Sequence, residues 1–184
     1  VNYGEIKGAG ENLGGISGIN DQSITGCANY GTVSVTGNKS GGIAGSSQRS
    51  VTDCVNHGLI KSTGNNAAGV VGSAENNGEI LRCENKGTVS VNGYNVGGVA
   101  GKSNHSITIC GNSAGVSGYH SVGGVAGNLD RVATLVNSTN SGRIEAVKDA
   151  TWLESNNSGN SYAGGVVGYQ FSGTANIPIS GCEN

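Results

Sequence analysis

The apolar residues of this chain neither alternate over long stretches nor recur every three or four positions. They return as short clusters at one fixed distance. One aliphatic column holds Ile6, Val33, Ile60, Val89, Val116 and Ile144. A second holds Ile16, Ile43, Val70, Val99, Val125 and Val166, each preceded by glycine. A third holds Ile24, Val51, Ile80, Ile107, Leu135 and Ile179. Polar columns keep the same step. Asparagine stands at positions 2, 29, 56, 85, 112, 140 and 184, with separations of 27, 27, 29, 27, 28 and 44. Two residues earlier, cysteine occupies Cys27, Cys54, Cys83, Cys110 and Cys182, with Ser138 in the fifth place.

Each unit of about 27 residues therefore offers three β-type segments separated by Gly, Asn or Ser turns. One unit cannot bury its few aliphatics alone, whereas units stacked in register place every aliphatic above its own copy. The pattern predicts an all-β, right-handed parallel β-solenoid with three short strands per coil and about six coils. The preferred hand of β-crossovers sets the handedness. At about 4.8 Å per strand the stack is roughly 29 Å long. Gly18, Gly45, Gly72, Gly101, Gly127 and Gly168 form a column where the chain bends or where no Cβ fits.

Composition agrees and excludes other classes. Among 184 residues are 35 Gly, 23 Asn and 22 Ser, with one Pro and no Met. That much glycine disfavours long helices, and collagen's Gly-X-Y period is absent. No apolar run reaches membrane-spanning length, and no segment reads as a signal or transit peptide. A net charge of −2 argues against nucleic acid and anionic membranes as partners.

The G-G-[IV]-x-G core, as in Gly41-Gly42-Ile43-Ala44-Gly45 and Gly97-Gly98-Val99-Ala100-Gly101, resembles the GLUG repeat. The flanking [CS]-x-N-x-G-x-[IV] is similar to the surroundings of that repeat. GLUG repeats occur in bacterial surface and secreted proteins, including non-catalytic regions of IgA-cleaving metallopeptidases. The resemblance covers essentially the whole chain. It implies an extracellular β-solenoid and no catalytic residue. The cysteine column departs from it, since Ser or another small residue is expected there. Residues 1–184 read as a single solenoid without an atypical capping unit at either end. The expectation is a piece of a longer repetitive protein, or one continued by a neighbour.

Candidate chemistry is sparse. The cysteines form either a ladder of stacked buried thiols or disulfides between adjacent coils. In-register Cβ atoms would have to approach closer than the strand spacing to form the bond, which favours thiols. No C-x-x-C or Cys/His cluster suggests a metal, and no cofactor motif is present. The Asn column is expected to form a hydrogen-bonded amide ladder. His57, His105 and His120 sit at unrelated offsets and are expected on the surface, with no H-E-x-x-H among them. The carboxylates are scattered rather than stacked, which disfavours a polysaccharide-cleaving site. Thr32 to Thr36 and Thr88 to Asn92 look like parts of an ice-binding array, but the Lys61 segment interrupts it.

The last unit departs from the others. Residues 145–163 insert extra chain containing the single Trp, and a second long loop follows at Tyr169 to Gly173. Insertions in solenoids often mark a binding face, so Trp152, Tyr169 and Phe171 are candidate contacts for a glycan or a host protein. The residue after each aliphatic of the G-G-[IV]-x-G core is expected to point outward. That column reads Ser17, Ala44, Val71, Ala100, Ala126 and Val167, a smooth stripe suited to self-association, as end-to-end stacking of open coils would also be. The resulting expectation is a non-enzymatic spacer or display rod, extracellular or on the bacterial surface. An adhesive module is the alternative, and a polysaccharide-active β-helix enzyme a lesser one.

Overall fold

A computed structural model describes residues 1–76, 78–130, 133–147, 161–170 and 179–184. The described residues are all β and contain no helix. The chain winds into a parallel β-solenoid. The first five coils each carry five short strands rather than the three expected, and the last shows four among the described residues. In the first coil these are β1 (Ile6–Gly8), β2 (Leu13–Gly14), β3 (Ser17–Asn20), β4 (Ile24–Thr25) and β5 (Ala28–Asn29). Copies of β1, β2, β3 and β4 stack into four six-stranded parallel sheets, and copies of β5 form a five-stranded one. The aliphatic column of β1 is aligned rung by rung, Ile6 on Val33, Val33 on Ile60, Ile60 on Val89.

The extra strands arise at the double glycine. The predicted second strand is broken by a bend at Gly42–Ile43, between Ser40–Gly41 and Ala44–Ser47 in the second coil. The chain runs inward on the β2 leg, turns, and runs back on the β3 leg. Glycine lets the two legs touch backbone to backbone. A Cβ on Gly41 would strike the carbonyl of Ala44 in its own returning leg, and one on Gly45 would strike Leu13 of the preceding coil. A Cβ on Gly42, at the tip, would strike the Asn56 amide on the opposite wall. The three glycines of the motif therefore answer to three different close approaches.

This inward fold divides the interior. One cluster, with Val33, Val35, Ala67, Val96 and Val122, lies between β1 and the β2 leg. The other, with Ile43, Val70, Val71, Val99, Ala100 and Cys83, lies between the β3 leg and β4. Both faces of the fold are covered, which corrects the expectation of an outward stripe. Ala44, Val71, Ala100 and Ala126 are fully buried. Alternation holds within a continuous strand, but the bend resets it.

Two corners of each coil take up left-handed backbone. One column holds Asn12, Lys39, Asn66, Asn95 and Ser121, just before β2. The other holds Asp53, Arg82, Ile109 and Asn137, with Gly26 and Gly181 at its ends. A β-branched residue fits poorly there, and Ile109 is also 53% exposed. Ile109→Asn, matching Asn137 on the next coil, is expected to stabilise the fold by about 1 kcal/mol. Urea denaturation followed by circular dichroism reads the shift, and an unchanged or lower midpoint would contradict it.

Candidate functional site

The interior ladders define the spine on which any site is carried. Nδ2 of Asn2, Asn29, Asn56, Asn85, Asn112 and Asn140 each donates to Oδ1 of the asparagine one coil on, at 2.7–2.9 Å. The second N–H of each amide goes to the carbonyl two residues ahead, as from Asn85 to Gly87 at 2.9 Å. The final rung joins Asn140 to Asn184 across 44 residues at 2.7 Å, so the long insertion leaves the spine intact.

The cysteine column runs beside it, and all five thiols are free. Each S–H donates to a backbone carbonyl, Cys54 to Thr52 at 3.3 Å and Cys110 to Ile80 at 3.4 Å. Sulfur in turn accepts from the neighbouring coil's amide, as Cys110 Sγ does from Cys83 N at 3.4 Å. Ser138 Oγ plays the same part for Cys110 N, which explains why serine can stand in this column. The hydrogen bond with Cys110, together with burial, pushes the Cys83 thiol up to about 12. The contact with Cys83 and burial likewise raise Cys54. Since the thiolate is the reactive form, these are inert groups. Alkylation of the native protein, read by mass spectrometry, should spare Cys54, Cys83 and Cys110. After denaturation without reductant all five should be modified, and recovery of an intact bridge would contradict the structure.

The histidines divide. His57 is exposed and stacks flat on Tyr30, with ring centroids 4.5 Å apart, and Tyr30 stacks on Tyr3 at 5.1 Å. His120 is half-buried, and Ser121 Oγ lies 2.7 Å from its Nδ1. His105 is buried, at 1% exposure, which corrects the surface placement. Its ring fills the space left by Gly78 one coil earlier, where a Cβ would meet the imidazole. Its Nε2 contacts the Glu75 carbonyl at 2.5 Å. Burial holds the His105 and His120 imidazoles below their ordinary value of 6.5, with Glu75 partly opposing the shift at His105. Between the folded and unfolded values the unfolded chain binds more protons, so stability is full above 6.5 and falls as pH drops below it. A His105→Asn, His120→Asn double variant should flatten the melting temperature between pH 7 and about 5. A parental slope that persists in the variant would contradict this.

The site itself lies where the two legs of the inward fold meet the surface. One lip is the left-handed column before β2. The other is the outer end of β3 and the residues that follow it. In the middle coils the lips enclose a groove of about 360 Å³ lined by Lys39, Asn66, Ser73, Glu75, Asn76, Lys102 and Asn104. Lys39 Nζ donates to Glu75 Oε1 across it at 2.7 Å, and Ser73 Oγ donates to the same oxygen at 3.1 Å. Those bonds hold the Glu75 carboxyl below the usual range. Lys102 pairs with Asp130 at 3.2 Å. Along one lip Asn95 donates to Asn66 at 2.8 Å, and from the other lip Asn128 donates across to Asn95 at 3.3 Å.

Towards the last coil the lips become aromatic. Tyr94 is paired in register with His120. His120 meets Tyr162 edge-on at 4.7 Å, and Tyr162 meets Tyr169 at 5.5 Å. Tyr169, singled out from the sequence, stands in the same column as Ser73, Lys102 and Asn128. Trp152 and Phe171, and most of the 145–163 insertion, lie outside the described residues. Tyr94 and Tyr162 escaped the sequence reading, which took His120 only as a surface residue. Their only signal was that Tyr94 and His120 stand at one offset, each two residues before a buried valine, Val96 and Val122. On the outer face of β1, Lys61 lies between Ser34 and Ser90, so the Thr/Ser array is interrupted there.

No family model matches the chain, no curated protein matches it, and no solved structure matches it.

Proposed function

We propose that this chain is a non-catalytic structural and display β-solenoid of a bacterial cell-surface or secreted protein. It acts as a stiff spacer that carries loops at fixed positions. The asparagine spine carries this reading. It passes from Asn140 to Asn184 at normal hydrogen-bond length although 44 residues separate them. An insertion can therefore be presented to solvent without interrupting the stack. Five in-register sheets along the same axis give the stiffness. The GLUG-like motif supports an extracellular setting. The outermost strands of each sheet also offer edges to a further coil, whether from the same chain or from another copy stacked end to end.

Two measurements test the proposal together. Pulled in a force spectrometer, the chain should resist and then release length in steps of about one 27-residue coil. Antibodies against it should label intact producing cells or their medium. A featureless extension at low force, or material confined to the cell interior, would overturn the reading.

A further inference from the structure

The groove at the mouth of the inward fold is a feature that a pure spacer does not need. We infer that it binds a neutral polysaccharide chain lying along the rod. This goes beyond the spacer reading and does not depend on it.

The register carries the β3 lip column on past the enclosed part of the groove. One lip steps from Asn66 to Asn95 through linked amides, and the other steps from Ser73 to Lys102, Asn128 and Tyr169 in successive coils. At about 4.8 Å per coil these rungs span roughly 15 Å. That is room for a linear polymer rather than for a compact metabolite.

The chemistry of the lining selects the polymer. Amide and hydroxyl groups, which both donate and accept, line its polar part. Such groups match a ligand rich in hydroxyls. The charges cancel locally, since Lys39 is spent on Glu75 and Lys102 is paired with Asp130. Neither an anionic nor a cationic chain gains an unmatched counter-charge. The aromatic part then supplies apolar ring surface. Tyr94, Tyr162 and Tyr169 are 41%, 38% and 36% exposed. Partly exposed tyrosines offer a large contact area at low entropic cost and suit the C–H face of a sugar ring.

A separate observation points to a missing partner. Asn128 Oδ1 is buried and accepts no hydrogen bond among the described residues. Asn128 lies between Lys102 and Tyr169 in the register, where the polar part gives way to the aromatic part. A buried acceptor without a donor is costly, and turning this part-buried amide towards the groove would let a ligand hydroxyl satisfy it.

The test is native affinity electrophoresis through gels containing mixed-linkage β-glucan, amylose, galactomannan or arabinoxylan, with alginate as the anionic counterpart. At least one neutral polymer should retard the protein. Tyr94→Ala with Tyr169→Ala should weaken that retardation about tenfold or more, with an unchanged melting temperature because both rings are part-exposed. Lys61→Ala, on the outer face of β1, should leave it unaltered. Asn128→Leu removes the unpaired acceptor together with the long 3.3 Å bond to Asn95, so it should weaken retardation with at most a small fall in melting temperature. Retardation by alginate alone would overturn the inference. So would no retardation by any of the four neutral polymers, or full retardation of the double tyrosine variant. None of these outcomes bears on the pulling experiment, so the spacer reading stands or falls separately.

Discussion

Val99→Asp is expected to abolish cooperative folding at neutral pH. Val99 is fully excluded from solvent within the cluster between the β3 leg and β4. Its amide donates to Val125 and its carbonyl accepts from Val71, both at 2.9 Å, so the backbone cannot turn the side chain outward without breaking two sheet bonds. The substitution removes about 1.5–3 kcal/mol of apolar burial. It adds the cost of a carboxyl with no partner, which is several kcal/mol more even if the group neutralises. A loss above about 4 kcal/mol rivals the whole stability of many domains. The damage should also spread, because in a stack each coil depends on its two neighbours. Ala100→Lys should be comparably severe, although that residue was expected to face solvent. Urea unfolding of the two variants checks the burial of both columns at once. A parental midpoint for either would place that column on the surface.

The contrast between these adjacent residues shows what was legible in the sequence and what was not. Columns were legible because stacking in register is a one-dimensional rule: a residue type repeated at one step must meet itself. The aliphatic columns, the cysteines and all seven asparagines follow it, even across the insertion before Asn184. The path within one coil was not legible. Alternation would place Ala44 opposite Ile43, but the bend at Gly42–Ile43 brings both indoors. The glycines marked the bend without saying that it pointed inward; the asparagine amide beneath the tip decides that. His105 was misplaced for a related reason. Its burial depends on the absence of a side chain at Gly78, one coil earlier at the same register position, so that column does not repeat one residue type. The groove depends on unlike residues in different coils, such as Tyr94, Asn128 and Tyr169, which no repeat comparison brings together. Tyr169 was singled out only because the last unit is irregular, not because of any repeat position.

The asparagine spine gives the second large effect. Asn85→Ala should cost about 3–5 kcal/mol, because it leaves at least two buried groups unpaired at about 1–3 kcal/mol each. Asn85 Oδ1 accepts from Asn56 Nδ2 at 2.9 Å, and Asn85 Nδ2 donates to Asn112 Oδ1 at 2.7 Å. Both neighbours are buried and lose a partner, as does the Gly87 carbonyl. The tip of the inward fold at Gly69 packs on the same amide, so a gap opens beneath it. Asn85→Asp does not rescue the loss: a carboxylate can accept from Asn56 but turns an acceptor towards the acceptor of Asn112. Asn2→Ala should behave differently. Asn2 is only part-buried and bonds to a single ladder neighbour, so its loss should cost about 1 kcal/mol or less. Stability measured along the column, from Asn2 through Asn29 and Asn56 to Asn85, should therefore fall steeply and then level off. That profile is the signature of a connected chain of dipoles in a dry interior. Equal, small losses at every rung would mean that the amides are separately solvated turn groups, and that the stiffness of the solenoid resides in its sheets alone.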